Sequence, residues 1–153
     1  MIATTQCRPM EVLLVEDSLI DARVTMLALK RCNIHHRVSL VRTAAEAKQF
    51  LNREGVFRRA PRPDLVLLDL LLPDEMGTDL LHEVRQTEEI HDTPVVVLSA
   101  SGDAESKDRC ESLHVDDYIE KPVDEAKFLR VVHEHKRLIV FGARAAEAFS
   151  YVS

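Results

Sequence analysis

Five polar residues stand where apolar runs end. Glu16 and Asp17 follow Glu11–Val15, Asp69 follows Leu65–Leu68, Ser99 follows Val95–Leu98, and Lys121 comes just after Tyr118-Ile119. Three carboxylates drawn into one crevice repel one another, and at least one holds its proton unless a cation neutralises them. A ligand set built only from oxygen favours a hard ion such as Mg²⁺, which prefers near-octahedral geometry and keeps some of its waters. A lysine adds a compact positive charge, and a serine hydroxyl adds a donor. Together these groups suit transfer of a phosphoryl group onto a carboxylate, where the protein chiefly positions groups and stabilises charge. Taken singly, each acid reads as an ordinary surface residue at a strand end. Their joint placement carries the chemistry.

The runs themselves explain how such residues could meet. Glu11–Val15, Leu65–Leu68 and Val95–Leu98 are rich in Val and Leu, and each leaves into a polar residue. Runs apolar on both faces suit strands buried from both sides, as in a parallel sheet covered by helices. Val38–Val41 and Tyr118-Ile119 are shorter strand candidates. Between them lie helical stripes: Ile20, Val24, Leu27 and Ala28; the segment Ala44–Leu51; Leu80, Leu81 and Val84; and Phe128, Leu129 and Val132. Ala104–Leu113 is polar and only weakly amphipathic. The order βα repeated five times predicts an α/β domain, an open doubly wound parallel sheet with flanking helices. Ligands of such sheets bind beyond the carboxyl ends of the strands, which is where the five polar residues fall.

Glu16-Asp17, Asp69 followed by Pro73 and Gly77, Ser99-Ala100, Tyr118, and Lys121-Pro122 closely resemble the motif set of response-regulator receiver domains. The spacings agree: Ser99 lies 30 residues after Asp69, Tyr118 49 and Lys121 52. The resemblance runs from about Met10 to His135 and implies a five-stranded, flavodoxin-like (CheY-like) fold. It implies that Asp69 is the phosphoacceptor, charged by a sensor histidine kinase. It also implies that Asp17 and Asp69 bind Mg²⁺ directly, Glu16 through water, and Leu71 through its backbone carbonyl. Ser99, the Ala100 backbone and Lys121 would contact the phosphoryl group, and the Lys121–Pro122 bond would be cis, as only a bond before proline readily is. Ser99 would move toward the new charge and Tyr118 would rotate into the space it leaves, reshaping the surface of the fourth helix, fifth strand and fifth helix.

Within that family the chain is similar to stand-alone regulators that partner phytochrome-type histidine kinases. The carriers are Pro61–Pro73 (PRPDLVLLDLLLP) and Leu113–Val115 (LHV). Domain limits are expected at 1–9 for an N-terminal tail, 10–136 for the receiver and 137–153 for a C-terminal extension. The extension holds Leu138-Ile139-Val140-Phe141, then Ala145, Ala146, Phe149 and Tyr151, with no helix-turn-helix pattern. Four consecutive apolar residues past a complete domain need burial. Packing back on the domain is one outcome. A homodimer through the fifth helix and Leu138–Phe149 is the one favoured here, since a two-fold contact buries the patch on both chains. The basic stretch Gly55–Pro63 (GVFRRAPRP) reads either as a solvated loop or as a contact surface.

Composition excludes several other classes. The net charge of -6 speaks against nucleic acid, which wants a basic footprint. No apolar run approaches the ~20 residues of a membrane span, and residues 1–9 lack a signal peptide's pattern, so the expected location is the cytoplasm. Three cysteines without CxxC spacing and scattered histidines give neither a disulfide frame nor a zinc site. The receiver resemblance implies a signalling protein that catalyses only its own phosphorylation and dephosphorylation. Two readings share one site: a receiver that signals by contact, and a relay that passes its phosphoryl group to a histidine phosphotransfer protein. A third reading, a phosphohydrolase or nucleotide-binding enzyme on a similar sheet, lacks support, because the chain has no GxGxxG, no P-loop and no DxD after the relevant strand.

Overall fold

The structure, a computed structural model, describes residues 8–100 and 104–142, with side chains from 107 onward in the second stretch. Its strands are β1 (Met10–Val15), β2 (His36–Val41), β3 (Leu65–Asp69), β4 (Val95–Ser99) and β5 (Asp117–Glu120). They form one wholly parallel sheet in the order β2-β1-β3-β4-β5. The helices are α1 (Leu19–Arg31), α2 (Ala44–Asn52), α3 (Gly77–Gln86), α4 (Ala104–Ser112) and α5 (Glu125–Glu134), with a 3₁₀ turn at Gly55–Phe57. Ser18, Thr43 and Asp124 cap α1, α2 and α5 through side-chain oxygens that accept from backbone N–H groups in the first turn. This is the doubly wound, flavodoxin-like architecture expected from the sequence.

Strand alternation divides the interior into two layers. Met10, Val12, Leu14, Leu65, Leu67, Val96 and Leu98 face α1 and α5, where Phe128, Val131 and Val132 complete the layer. Leu13, Val15, Val66, Leu68, Val95 and Val97 face the other side, against Ala47, Phe50, Leu81 and Val84. Burial on both faces is why these strands show no apolar–polar alternation.

Two helical expectations change. The predicted α1 stripe of Ile20, Val24 and Leu27 points outward, leaving Ile20 78% exposed. The buried side of α1 is Ala22, Thr25, Ala28 and Leu29. Small residues let this helix lie close to the sheet, so its larger apolar residues fall on the outer face. The run 138–141 also divides: Leu138 and Phe141 are buried in the α1–α5 layer, while Ile139 and Val140 are about half exposed. Half of the patch assigned to a dimer contact therefore packs back on the domain. Ala145, Ala146, Phe149 and Tyr151 lie outside the described residues.

A polar cluster ties β5 to α5. The Asp117 carboxylate accepts from Arg130 Nη1 at 2.9 Å and pairs with His135 Nε2 at 2.7 Å. Burial opposes the charge of Asp117, but Arg130 and His135 outweigh it and hold the carboxyl below its usual range. A carboxyl depressed on folding stabilises the protein above its unfolded pKa of about 3.9 and loses that contribution as pH falls through the folded value. Asp117→Asn is therefore expected to lower stability at pH 7, and by a smaller amount near pH 3, where part of the wild-type contribution is lost. Urea unfolding at both pH values checks this, and an equal difference at the two would refute it.

Candidate functional site

All the predicted strand-end residues converge at the carboxyl edge of the sheet. Glu16 leaves β1 with its N–H bonded to Val41 O at 3.0 Å, and its side chain is fully buried. Its Oε2 accepts from Ser18 N at 3.2 Å, fixing the turn into α1. Asp17 points out at the rim, its side chain 49% exposed. Arg42, just after β2, donates to the Asp17 carbonyl at 2.9 Å and to its Oδ1 at 3.4 Å. Asp69 ends the neighbouring strand β3, 7% exposed, with Oδ1 accepting from Leu71 N at 3.2 Å.

Lys121 is the hub. Its Nζ lies 2.7 Å from Glu16 Oε1, 3.0 Å from Asp21 Oδ2 and 3.3 Å from Asp69 Oδ2. The backbone helps to hold it there, since Lys121 N donates to Ser99 O; the Lys121–Pro122 bond is cis. Burial works against the ammonium, yet the Glu16 and Asp21 carboxylates keep its pKa above the ordinary value. Burial and a hydrogen bond shared with Asp69 push the Glu16 carboxyl up to about 7, against the pull of Lys121. The crevice holds more negative charge than one lysine neutralises.

That imbalance is the test for a cation, and the oxygen donors fit one. Among the described residues no three His, Cys, Asp or Glu side chains are grouped so as to hold a metal ion by themselves. An ion bound here would need backbone oxygen and water as well, a shell that suits Mg²⁺ better than zinc. Leu71, whose carbonyl is the backbone candidate, sits on the exposed turn after Asp69. That turn is pinned at several points. Gly77 N donates to Leu70 O, and Asp74 accepts at 2.9 Å from both Ala44 N and Ala45 N at the start of α2.

Ser99 ends β4 with 7% exposure, and Ala100 follows at the open rim beside Asp21 and Lys121 in a cleft of about 240 Å³. Val97 pairs in register with Tyr118, so Tyr118 and Ser99 share the sheet face toward α3 and α4. Tyr118 is partly buried against that layer. Asp21 and Arg42 were not anticipated. The first carries a signal, an acid in the opening turn of the helix that follows Glu16-Asp17. The second carries none, because only the β2–β1 register brings it to Asp17.

The model of the response regulator receiver domain matches residues 12–133. Response regulator Rcp1 of Synechocystis is 38% identical over 113 residues, covering 74% of this chain and 77% of its own length. The structure of the phosphorylated cyanobacterial phytochrome response regulator RcpA aligns with TM-score 0.74 at 34% identity, over 86% of this chain and 95% of that one. The bacteriophytochrome response regulator RtBRR gives TM-score 0.76 at 30% identity, over 94% and 96% of the two chains. With the acidic crevice, the parallel five-stranded sheet and the family match in agreement, this chain belongs to the response-regulator receiver family.

Proposed function

We propose that this chain is a phosphorylation switch in which Asp69 takes a phosphoryl group from a phosphohistidine of a sensor kinase. The observation that carries the reading is the Asp69 carboxylate at the mouth of the crevice, 3.3 Å from the Lys121 ammonium. An Asp69 oxygen attacks phosphorus, the P–N bond to the donor imidazole breaks as the P–O bond forms, and the leaving nitrogen keeps the electron pair. Lys121 is placed to meet the charge on the transferred group, and the Ser99 hydroxyl and Ala100 N–H to donate to its oxygens. Asp17, Asp69 and the Leu71 carbonyl would hold Mg²⁺ directly and Glu16 through water; the ion supplies further neutralisation of the phosphoryl oxygens. The Mn²⁺-bound structure of Rcp1 supports a divalent ion in this family.

Ser99 and Tyr118 then couple the site to the α4–β5–α5 surface, through a shared sheet face. The exposed apolar residues Leu19, Ile20, Val24 and Leu27 flank the crevice and give a donor protein an apolar surface on which to align. The likeness to RcpA and RtBRR supports a phytochrome-type kinase as that donor. A homodimer through α5 and the C-terminal extension remains part of the reading, with Ile139 and Val140 as its apolar contacts, Leu138 and Phe141 being committed to the chain's own core.

Phosphorylation by acetyl phosphate tests the chemistry, and Asp17→Ala tests the metal. The variant is expected to label at least about tenfold more slowly than wild type at equal Mg²⁺, with little change in unfolding midpoint, because Asp17 is a half-exposed rim residue. Labelling at the wild-type rate would refute the metal role. Faster transfer to Asp69 from a kinase of another sensor class than from a phytochrome-type kinase would refute the choice of partner.

A further inference from the structure

The basic stretch after α2 does not touch the acidic crevice. Arg53, Arg58 and Arg59 line a separate cleft of about 590 Å³ with Arg37, Val38 and Ser39 of β2. It lies near the amino ends of β1 and β2, since Arg37 pairs in register with Glu11. Glu11 and Glu16 are five residues apart along one strand, so roughly 17 Å separates Glu11 in the cleft from Glu16 in the crevice.

Three features give this cleft a ligand chemistry. First, its charge is unbalanced. Arg37 is engaged by Glu11 at 3.0 Å, whereas the side chains of Arg53, Arg58 and Arg59 have no hydrogen-bond or ion-pair partner among the described residues. This is a concentrated positive surface on a chain whose net charge is -6. Second, β2 is an edge strand, with β1 as its single neighbour among the described residues. Successive strand residues point to opposite faces, so a cleft lined by Arg37, Val38 and Ser39 together follows the edge. Third, the site offers apolar as well as basic contacts. Val38, Ala60 and Pro61 contribute to its lining, and Val56 stands 89% exposed on the turn above.

We propose that this cleft docks an extended acidic segment of a partner protein, laid along the outer edge of β2 with its carboxylates on Arg53, Arg58 and Arg59. Strand addition at an exposed edge supplies main-chain hydrogen bonds, and alternate side chains supply specificity. Guanidinium groups match carboxylates in a bidentate fork. A nucleic acid fits less well, because no aromatic side chain lines the cleft to stack a base. A flat membrane cannot follow a concave strand edge. A segment docked here leaves Asp69 accessible, so a partner can stay bound while the phosphoryl group comes and goes.

Fluorescence anisotropy with the full chain tests this, using a fluorescein-labelled peptide of alternating Glu and Val residues. Saturable binding that weakens with added salt is expected. The triple variant Arg53→Ala/Arg58→Ala/Arg59→Ala should bind about tenfold more weakly, as three exposed charge pairs together account for roughly that factor. These side chains are exposed, so the variant should fold and label at Asp69 as wild type does. Arg23→Ala/Arg31→Ala on α1 should bind the peptide normally. Amide exchange at Val38–Leu40 should slow when the peptide is bound. Equal binding by the triple variant, or no saturation below about 1 mM, would overturn the proposal. So would tighter capture of oligo-dT or phosphatidylserine vesicles through the same arginines. If the triple variant self-associates while neither protein binds peptide, the charges only guard an open strand edge, which also overturns it.

Discussion

Incubated with acetyl phosphate and Mg²⁺, Asp69→Asn is expected to acquire no acyl phosphate, while wild type gains one acid-labile phosphoryl group by intact mass. The amide that replaces the carboxylate has neither its charge nor its nucleophilic oxygen, so the P–O bond does not form. The substitution is nearly isosteric, and the fold should survive it. Stability should not suffer either, because Asp69, after burial, is what pushes the Glu16 carboxyl up. Without its charge the crevice is less crowded with negative groups, and Lys121 keeps Glu16 and Asp21 as partners at 2.7 and 3.0 Å. Unfolding of the variant is therefore expected at an equal or higher urea concentration. Undiminished labelling of Asp69→Asn would place the acceptor elsewhere and remove the basis of the proposed function.

Gly77→Ala should be the most damaging single-methyl change near the site. A Cβ at this position would stand 2.6 Å from Asp69 O and 2.7 Å from Leu70 Cα. Both are backbone atoms, so no rotamer change relieves the contact; either the end of β3 or the start of α3 must move. Overpacking of this kind costs about 1–3 kcal/mol. The atoms displaced belong to Asp69 itself and to the turn that carries Leu71, and a shift near 1 Å in a reacting group costs roughly a hundredfold in rate. Labelling is expected to fall by about that factor, well beyond the loss of folded protein. Gly55→Ala is the control. Its φ of +56° makes a side chain unfavourable, but nothing lies within 4 Å and the position is far from Asp69. That variant should lose some stability and label normally. Wild-type labelling by Gly77→Ala would show that the turn accommodates the methyl without moving Asp69.

The fold was legible because its strands are buried on both faces and its acids fall at strand ends. Leu65–Leu68 and Val95–Leu98 admit few other structures, and a parallel sheet then carries Asp69 and Ser99 to the same edge. Helix α1 was less legible, since its inward face is Ala22, Thr25 and Ala28. Close packing selects small residues there, and hydrophobicity marks the wrong face. The site was legible as a set of residues but not as a charge distribution. Asp21 and Arg42 enter through contacts at 3.0 and 2.9 Å that depend on how α1 and β2 lie against β1. The division of Leu138-Ile139-Val140-Phe141 was likewise hidden, because four adjacent apolar residues carry no mark of which two turn inward.

The buried position of Phe141 has a consequence for the chain as a closed loop. Arg8 places its guanidinium carbon 5.5 Å from the centre of the Phe141 ring, and the same group forks onto Asp64 through two bonds of 2.8 Å. The first and last described segments are thus neighbours at the amino edge of the sheet, away from Asp69. A linker of about six residues could join Gly142 to Arg8. The domain could then be reopened at the exposed turn near Val56, giving a circular permutant with the crevice untouched. In such a permutant the order of synthesis changes while every strand keeps its neighbour. A sensor module inserted at the new ends would report on this domain from the side opposite its chemistry.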